Sequence, residues 1–119
     1  MFDALHAEFG FTMDGAASPE NALLPRFSSA EAPLPWDGER VFCNPPWGDI
    51  RTFIDKAPAS EISVFVLPAR INTKWFHHAL DMGFRYRIPK KRINYTRPNW
   101  KKRAPMDSIV LLWGDSLAA

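Results

Sequence analysis

The sequence predicts an α/β domain in which helices flank a mainly parallel sheet. Segments with strand and helix patterns alternate along the 119-residue chain, as in proteins built from βαβ units. Residues 62 to 67, ISVFVL, are apolar at every position but one, as expected for a central strand covered on both faces. With 46% hydrophobic and 24% charged residues, the composition is that of one globular domain over residues 1–119.

The first half of the chain has helix and strand patterns in alternation. Residues 2–9 show amphipathic helical spacing and precede Gly10, which favours a helix end. Ser18 before Pro19 matches an N-cap with proline at the first helical position. We therefore predict, in chain order, a helix at 2–9, a strand at 11–13, a turn at 14–17, one or two helical turns at 19–24 and a strand at 40–43.

The second half repeats this alternation. Apolar residues at helical spacing predict a helix that follows the Pro45–Pro46 pair, and Thr73 and Gly83 are placed to cap and to end the next one. The last two apolar runs predict strands on either side of a basic stretch. The predicted elements are a helix at 49–57, a strand at 62–67, a helix at 73–82 and strands at 84–88 and 108–113.

Several classes of protein are disfavoured by the sequence. No stretch approaches the roughly 20 apolar residues of a membrane span, and Met1-Phe2-Asp3 lacks the basic start of a signal peptide. The single Cys43 excludes an intramolecular disulfide or a multi-cysteine zinc site. His77 and His78 are adjacent on a predicted helix and point in different directions, so we predict no metal. We expect a protein of the reducing cytoplasm that does not bind membranes.

Positive charge is concentrated in the second half of the chain. The formal net charge is only +2, yet residues 85–103 contain nine Lys and Arg residues and no acid. Such a segment suits a polyanionic partner, although a solvated basic loop has the same composition.

Three turns with unusual residues follow predicted strands: Asp14-Gly15-Ala16-Ala17-Ser18, Asn44-Pro45-Pro46-Trp47 and Pro68-Ala69-Arg70. Ligands of open α/β sheets bind beyond the carboxyl ends of the strands. If the three strands are neighbours, these turns line one crevice. We expect Arg70 to face that crevice, with a surface ion pair as the alternative.

The segment Asn44-Pro45-Pro46-Trp47 has a specific chemical interpretation. An exocyclic amine of a nucleobase is a poor nucleophile, because its lone pair is delocalised into the ring. The side-chain oxygen of Asn44 and the carbonyl of Pro45 are suitable acceptors for such an NH₂ group. Consecutive prolines fix φ near −65° and so hold that carbonyl in place, while Trp47 offers a flat surface for stacking.

In these residues the sequence resembles the phage DNA N-6-adenine-methyltransferase (Dam-like) family. Asn-Pro-Pro-aromatic is the catalytic motif of amino-group methyltransferases that use S-adenosyl-L-methionine. The resemblance is carried by FTMDGAASPENALLPRF (11–27), VFCNPPWGDI (41–50), VLPARINTKWFHHAL (66–80) and, more weakly, SIVLLW (108–113). It implies a Rossmann-like methyltransferase fold, S-adenosyl-L-methionine as methyl donor, double-stranded DNA as substrate and, for a phage or prophage protein, the cytoplasm of the bacterial host.

The resemblance also implies roles for individual residues. It places Asn44, Pro45, Pro46 and Trp47 in catalysis, and the turn formed by Asp14, Gly15, Ala16, Ala17 and Ser18 at the methyl donor. Asn21 is a further candidate for donor contact, and Glu31 and Asp37 are candidates for the donor ribose. Because adenine must be flipped out of the duplex, we expect residues 89–105 to form a DNA-facing loop. The candidate DNA-binding residues are Arg70, Lys90, Lys91, Arg92, Arg97, Lys101, Lys102 and Arg103.

The sequence departs from the family pattern in three respects. The glycine-rich turn common in methyltransferases is replaced by Asp14-Gly15-Ala16-Ala17, and Trp47 stands where tyrosine or phenylalanine is commoner. The chain is also short, so target recognition is either minimal or shared with a second subunit, such as another copy of the chain. Two alternatives stay open: a methyltransferase acting on RNA or protein glutamine, and a non-catalytic nucleic-acid-binding subunit with the same fold.

Overall fold

The computed structural model describes residues 1–90, 94–97, 100–103 and 107–114. Within these residues the chain forms a five-stranded sheet with the order β1-β2-β3-β7-β4 and a separate two-stranded hairpin, β5-β6. The strands are β1 (Met13–Asp14), β2 (Arg40–Cys43), β3 (Ile62–Pro68), β4 (Arg85–Arg87), β5 (Asn94–Arg97), β6 (Trp100–Arg103) and β7 (Ser108–Trp113). The helices are α1 (Phe2–Phe9), α2 (Ile50–Ile54) and α3 (Lys74–Met82), with 3₁₀ turns at Trp47–Asp49 and Ala57–Ala59.

The sheet is mixed, because one strand runs against the others. β1 pairs with β2, and β2 with β3, in parallel, whereas β7 is antiparallel to both β3 and β4. A parallel return from β4 to β7 would need a crossover, but the connection contains the β5-β6 hairpin instead. β1 to β4 therefore point the same way, and only β7 departs from the predicted mainly parallel arrangement.

Both faces of the sheet are covered, so the predicted α/β class with flanking helices is confirmed. Val64 and Val66 pack with Leu5 and Phe9 of α1. The alternate residues Phe65 and Leu67 lie in a second cluster. That cluster also contains Ile54 of α2, Phe76 and Ala79 of α3, and Trp36. All seven residues of β3 are buried, as its apolar sequence predicts.

The prediction of one or two helical turns at 19–24 holds for a single turn only. These residues form a turn in which the Ala22 N–H donates to Ser18 O at 3.0 Å, and no helix is present there. The Leu23 N–H donates to Asp14 Oδ2 at 3.1 Å, and Pro25 follows without an N–H of its own. The Asp14 carboxylate therefore accepts from the Leu23 N–H, which in a longer helix would donate to the carbonyl four residues before it.

Two further predictions need correction at the ends of elements. Thr73 is the residue before α3, but its side chain does not cap the helix; its hydroxyl donates to the Arg70 carbonyl at 2.7 Å. The basic stretch predicted as a loop at 89–105 contains a hairpin, with Asn94 paired to Arg103 and Arg97 to Trp100. Cross-strand pairing thus forms within a segment whose charge suggested only a loop.

Candidate active site

The turns after β1 and β2 lie side by side. Asp14 pairs with Phe42 in the parallel register, and the Gly15 N–H donates to Phe42 O at 2.7 Å. Cys43 is paired with Phe65 of β3 in the same direction. The carboxyl ends of three neighbouring strands therefore meet at one edge of the sheet, as the sequence predicts. We call residues 14–18 the Asp14 turn and residues 44–47 the Asn44 turn.

The Asp14 turn is held together by its own carboxylate. Asp14 is completely buried (0% exposed). Its Oδ1 accepts a hydrogen bond from the Ala16 N–H at 3.3 Å, and its Oδ2 accepts one from the Leu23 N–H at 3.1 Å. A buried carboxylate requires such donors, because burying an unpaired charge is costly. Asp14 thus joins the turn to residue 23, which shapes the loop on both sides of Ser18.

Gly15 is required by packing rather than by an unusual backbone angle. A Cβ at this position would lie 2.7 Å from both Trp36 Cζ2 and Val41 Cγ1. Trp36 is buried and packs against Phe65, with ring centroids 5.8 Å apart. The single glycine of the turn therefore allows the indole ring to approach the main chain.

The remaining residues of the first turn are half-buried, and their main-chain groups are bonded within the fold. The Ala17 N–H donates to Ser28 O at 3.0 Å. The Ser18 N–H donates to the side-chain oxygen of Asn21 at 2.8 Å, so Asn21 lies directly against the turn. Glu31 and Asp37, the candidates for the ribose, are both exposed.

The Asn44 turn leaves its acceptors uncommitted. Pro45 is buried, Asn44 is half-buried, and Pro46 has φ −56° and ψ 136°. Within the described part of the chain, no hydrogen bond reaches the Asn44 side chain or the Pro45 carbonyl. The next carbonyl, that of Pro46, accepts from the Asp49 N–H at 3.0 Å and closes the following turn. Two acceptors are thus left at a rigid strand end.

Trp47 and Arg70 meet at this edge. Trp47 is 39% exposed, and the guanidinium carbon of Arg70 lies 5.6 Å from the centroid of its ring. Arg70 is itself exposed. Sequence reasoning placed both residues in one crevice, and the structure brings them into direct contact.

A family model described as DNA N-6-adenine-methyltransferase (Dam) matches residues 1–113. The chain belongs to this family. The resemblance inferred from the sequence is therefore confirmed.

One solved structure to which this Dam-family chain is similar is a precorrin-6Y C5,15-methyltransferase from Geobacter metallireducens GS-15. The two share 19% sequence identity, with a TM-score of 0.44. The match covers 75% of this chain and 52% of the other, so the chain spans about half the length of that protein. The chain matches no curated protein.

Trp36 is a residue of the site that sequence reasoning missed. Its indole N–H is buried and has no hydrogen-bond partner among the described residues. The ring carbon bonded to that nitrogen, Cε2, lies 3.2 Å from where a Gly15 Cβ would stand. Unpartnered buried donors cost about 1–3 kcal/mol and are uncommon. An unpartnered donor beside a turn of small residues is compatible with a polar ligand such as S-adenosyl-L-methionine at this turn.

The basic segment of the Dam-family chain leaves and rejoins the sheet at the edge that carries the site. β4 points the same way as β1 to β3, so residues after Arg87 start from that edge. On the return, the Ala69 N–H donates to Asp107 O at 2.8 Å, beside Arg70. Lys90 is exposed, and Lys91 and Arg92 lie outside the described residues. Arg97, Lys101, Lys102 and Arg103 belong to the hairpin strands.

The described part of the fold contains no group of three or more His, Cys, Asp or Glu side chains arranged to hold a metal ion. In the same residues, every helix is too short or too polar to span a membrane.

Proposed function

We propose that this chain transfers a methyl group from S-adenosyl-L-methionine to the N-6 amine of a flipped-out adenine in double-stranded DNA. The observation that carries the proposal is the pair of uncommitted acceptors, the Asn44 side chain and the Pro45 carbonyl, beside the half-exposed ring of Trp47. Family membership supports the same reaction.

The chain's contribution to this reaction is to hold and polarise the amine. Asn44 Oδ1 and Pro45 O are the proposed acceptors for the two N6–H groups, which increases electron density on the nitrogen. When bound, S-adenosyl-L-methionine supplies the methyl group, and its transfer forms the N6–C bond while the C–S bond breaks with its electron pair left on sulfur. The proton that N6 loses leaves to solvent beside the half-buried Asn44.

The Asp14 turn is the proposed site for the donor, and Trp47 the surface on which the base stacks. Ala16, Ala17 and Ser18 are half-buried, small residues at the strand end next to the Asn44 turn. Asn21 and the indole N–H of Trp36 are the nearby polar groups proposed to contact the donor. Stacking of a base on an aromatic side chain contributes about 1–3 kcal/mol, so Trp47 is expected to stabilise the flipped adenine substantially.

The basic segment is the proposed DNA interface. Its two ends lie at the edge of the sheet that carries both turns, and a two-stranded antiparallel ribbon fits the major groove of B-DNA. If Lys101, Lys102 and Arg103 contact phosphates, their joint replacement by Gln makes the negative slope of log K against log salt shallower by about 0.9 per lost contact. Unchanged affinity and slope would exclude this segment as the interface. The matched control is Lys74→Gln, an exposed lysine outside it.

The deciding experiment is incubation of the purified protein with methyl-labelled S-adenosyl-L-methionine and, in separate arms, duplex DNA, RNA and protein. The expected result is label in DNA as N-6-methyladenine, lost in Asn44→Ala and kept in Asn72→Ala, an exposed asparagine. If label appeared only in RNA or only in protein glutamine, that molecule would be the substrate and the proposal of DNA would be wrong.

The non-catalytic binding subunit is a second candidate because the Asp14 carboxylate and several N–H groups of its turn are already bonded within the protein. Fewer polar groups of the Asp14 turn are then left to bind S-adenosyl-L-methionine. Titration calorimetry with S-adenosyl-L-methionine separates the candidates: the enzyme binds it, and a chain that binds DNA without binding the donor is the alternative.

A further inference from the structure

The contact between Arg70 and Trp47 joins two turns that follow neighbouring strands. The guanidinium carbon lies 5.6 Å from the ring centroid, within the range of a cation–π interaction. Within the described residues, no acid pairs with Arg70 and its side chain makes no hydrogen bond. The indole ring is therefore the contact that the structure offers to this cation.

Both partners project from rigid main chain. The Arg70 N–H donates to Pro68 O at 2.8 Å, and the Arg70 carbonyl accepts from the N–H and the hydroxyl of Thr73 at 3.3 and 2.7 Å. Trp47 follows two prolines and begins a 3₁₀ turn. Thr73 thus holds the backbone of Arg70 instead of capping α3. The contact therefore joins side chains whose backbone positions are held by local hydrogen bonds and by the two prolines.

An indole ring has two faces, and a guanidinium over one of them leaves the other for a nucleobase. We propose that Arg70 is a positioning residue that holds the ring of Trp47 in place, so that the flipped adenine stacks on the face opposite Arg70. This inference rests on the proposed function. It differs from a phosphate contact by Arg70, which requires only a positive charge.

Two substitutions separate positioning from charge. Arg70→Lys keeps the charge and loses the planar group, and Arg70→Met keeps a long side chain and loses both. If Arg70 acts through Trp47, Arg70→Met lowers kcat about two- to fivefold, the range expected for an exposed cation–π contact, and Arg70→Lys, which still places a cation near the ring, lowers it less. In a Trp47→Ala background neither substitution has a further effect. Arg51→Met, which removes an exposed arginine of α2, is the control for net charge.

The experiment is a double-mutant cycle on Arg70 and Trp47, with kcat and KM for DNA measured from incorporation of labelled methyl groups. A second readout uses duplex DNA whose methylated adenine, once located, is replaced by 2-aminopurine. The emission of this base rises when it leaves the helix and falls when it stacks on an aromatic ring. We expect weaker quenching in both Arg70 variants, and thermal unfolding verifies that each variant is folded.

Three results would overturn the inference while leaving the proposed function intact. They are additive effects of the Arg70 and Trp47 substitutions, full activity in Arg70→Met, and stronger quenching in Arg70→Met, which would mean that Arg70 occupies the face used by the base. Absence of methyl transfer to any substrate by the wild-type protein would overturn the proposed function and this inference together.

Discussion

The two turns at the edge of the sheet differ in how their polar groups are used. In the Asp14 turn, a fully buried carboxylate accepts from two main-chain N–H groups, and Gly15 packs against Trp36. In the Asn44 turn, the Asn44 side chain and the Pro45 carbonyl have no hydrogen-bond partner within the described residues. The first turn is stabilised by its own polar side chain, whereas the second is stiffened by prolines.

This difference shows how a strand end can be kept rigid while its acceptors stay available. Proline limits φ without using any hydrogen bond, so the polar atoms of the Asn44 turn remain for a substrate. The Asp14 turn is also ordered, but its carboxylate oxygens are already occupied by hydrogen bonds from main-chain N–H groups. Substitutions in the second turn should therefore impair the reaction more than the fold, and those in the first should do the opposite.

The largest effect is expected for Asn44→Ala. Loss of one acceptor aimed at the reacting amine is expected to lower kcat by about 10²–10³-fold, by analogy with removal of one preorganised hydrogen-bonding group. The temperature of unfolding should stay near that of the wild type, because the side chain makes no hydrogen bond to the described residues. Asn44→Asp keeps an acceptor and is expected to retain part of the activity. A strongly destabilised Asn44→Ala would contradict the proposed division between the turns.

Asp14→Ala is the counterpart in the first turn. It leaves the N–H groups of Ala16 and Leu23 without their acceptor, which is expected to lower the free energy of unfolding by about 3 kcal/mol. Urea unfolding measures this loss. Asp81→Ala, at an exposed position on α3, is the matched control. If Asp14→Ala kept normal stability but no longer bound S-adenosyl-L-methionine, Asp14 would instead be a residue that contacts this ligand.

Gly15→Ala probes the packing of the same turn. The added Cβ would meet Trp36 and Val41 at 2.7 Å, and overpacking of this kind costs about 1–3 kcal/mol. Gly48→Ala is the control in the stretch after the Asn44 turn, since nothing lies within 4 Å of its Cβ position. Equal stability of the two variants in urea would show that the indole ring moves aside easily.

The smallest effect is expected away from both turns, at the ion pair of α1 and β4. Arg87 donates to both carboxylate oxygens of Glu8, at 2.8 and 2.5 Å. These hydrogen bonds, reinforced by the arginine charge and opposed by burial, lower the pKa of Glu8 from its usual 4.5. The pair is half-exposed, so Glu8→Gln is expected to cost no more than about 1 kcal/mol near neutral pH.

The sign of the pH dependence follows from the lowered pKa of Glu8. The carboxylate contributes stability above the pKa of the unfolded chain, and this contribution is lost as the pH falls through the lower pKa of the folded state. The difference in unfolding free energy between wild type and Glu8→Gln should therefore shrink as the pH falls through the lowered pKa of Glu8. Methyl transfer at neutral pH should be equal in the two proteins. A difference that grows in acid would contradict the assignment.

Local patterns were sufficient where helical spacing or an apolar run marks an element directly. α1 spans the predicted residues 2–9, and β2 and β3 lie where apolar runs predict them. The helical turns predicted at 19–24 stop after one, because Asp14, nine residues before Leu23, accepts from the Leu23 N–H. Trp36 was missed for a similar reason, since its contact with Gly15 leaves no periodic pattern in the chain. The roles proposed for Asn44 and Trp47 depended on the resemblance to the family's motif.

The connection between β4 and β7 has a consequence for how such a protein can change its target. The two strands pair directly, with Arg87 opposite Val110, so the residues between them form an insertion anchored at both ends by the sheet. Lengthening such an insertion adds little closure entropy, about 0.6 kcal/mol per doubling. If this segment is the DNA interface, as proposed, it can be redesigned for another DNA sequence while Asp14 of β1 and Asn44 after β2 are left untouched.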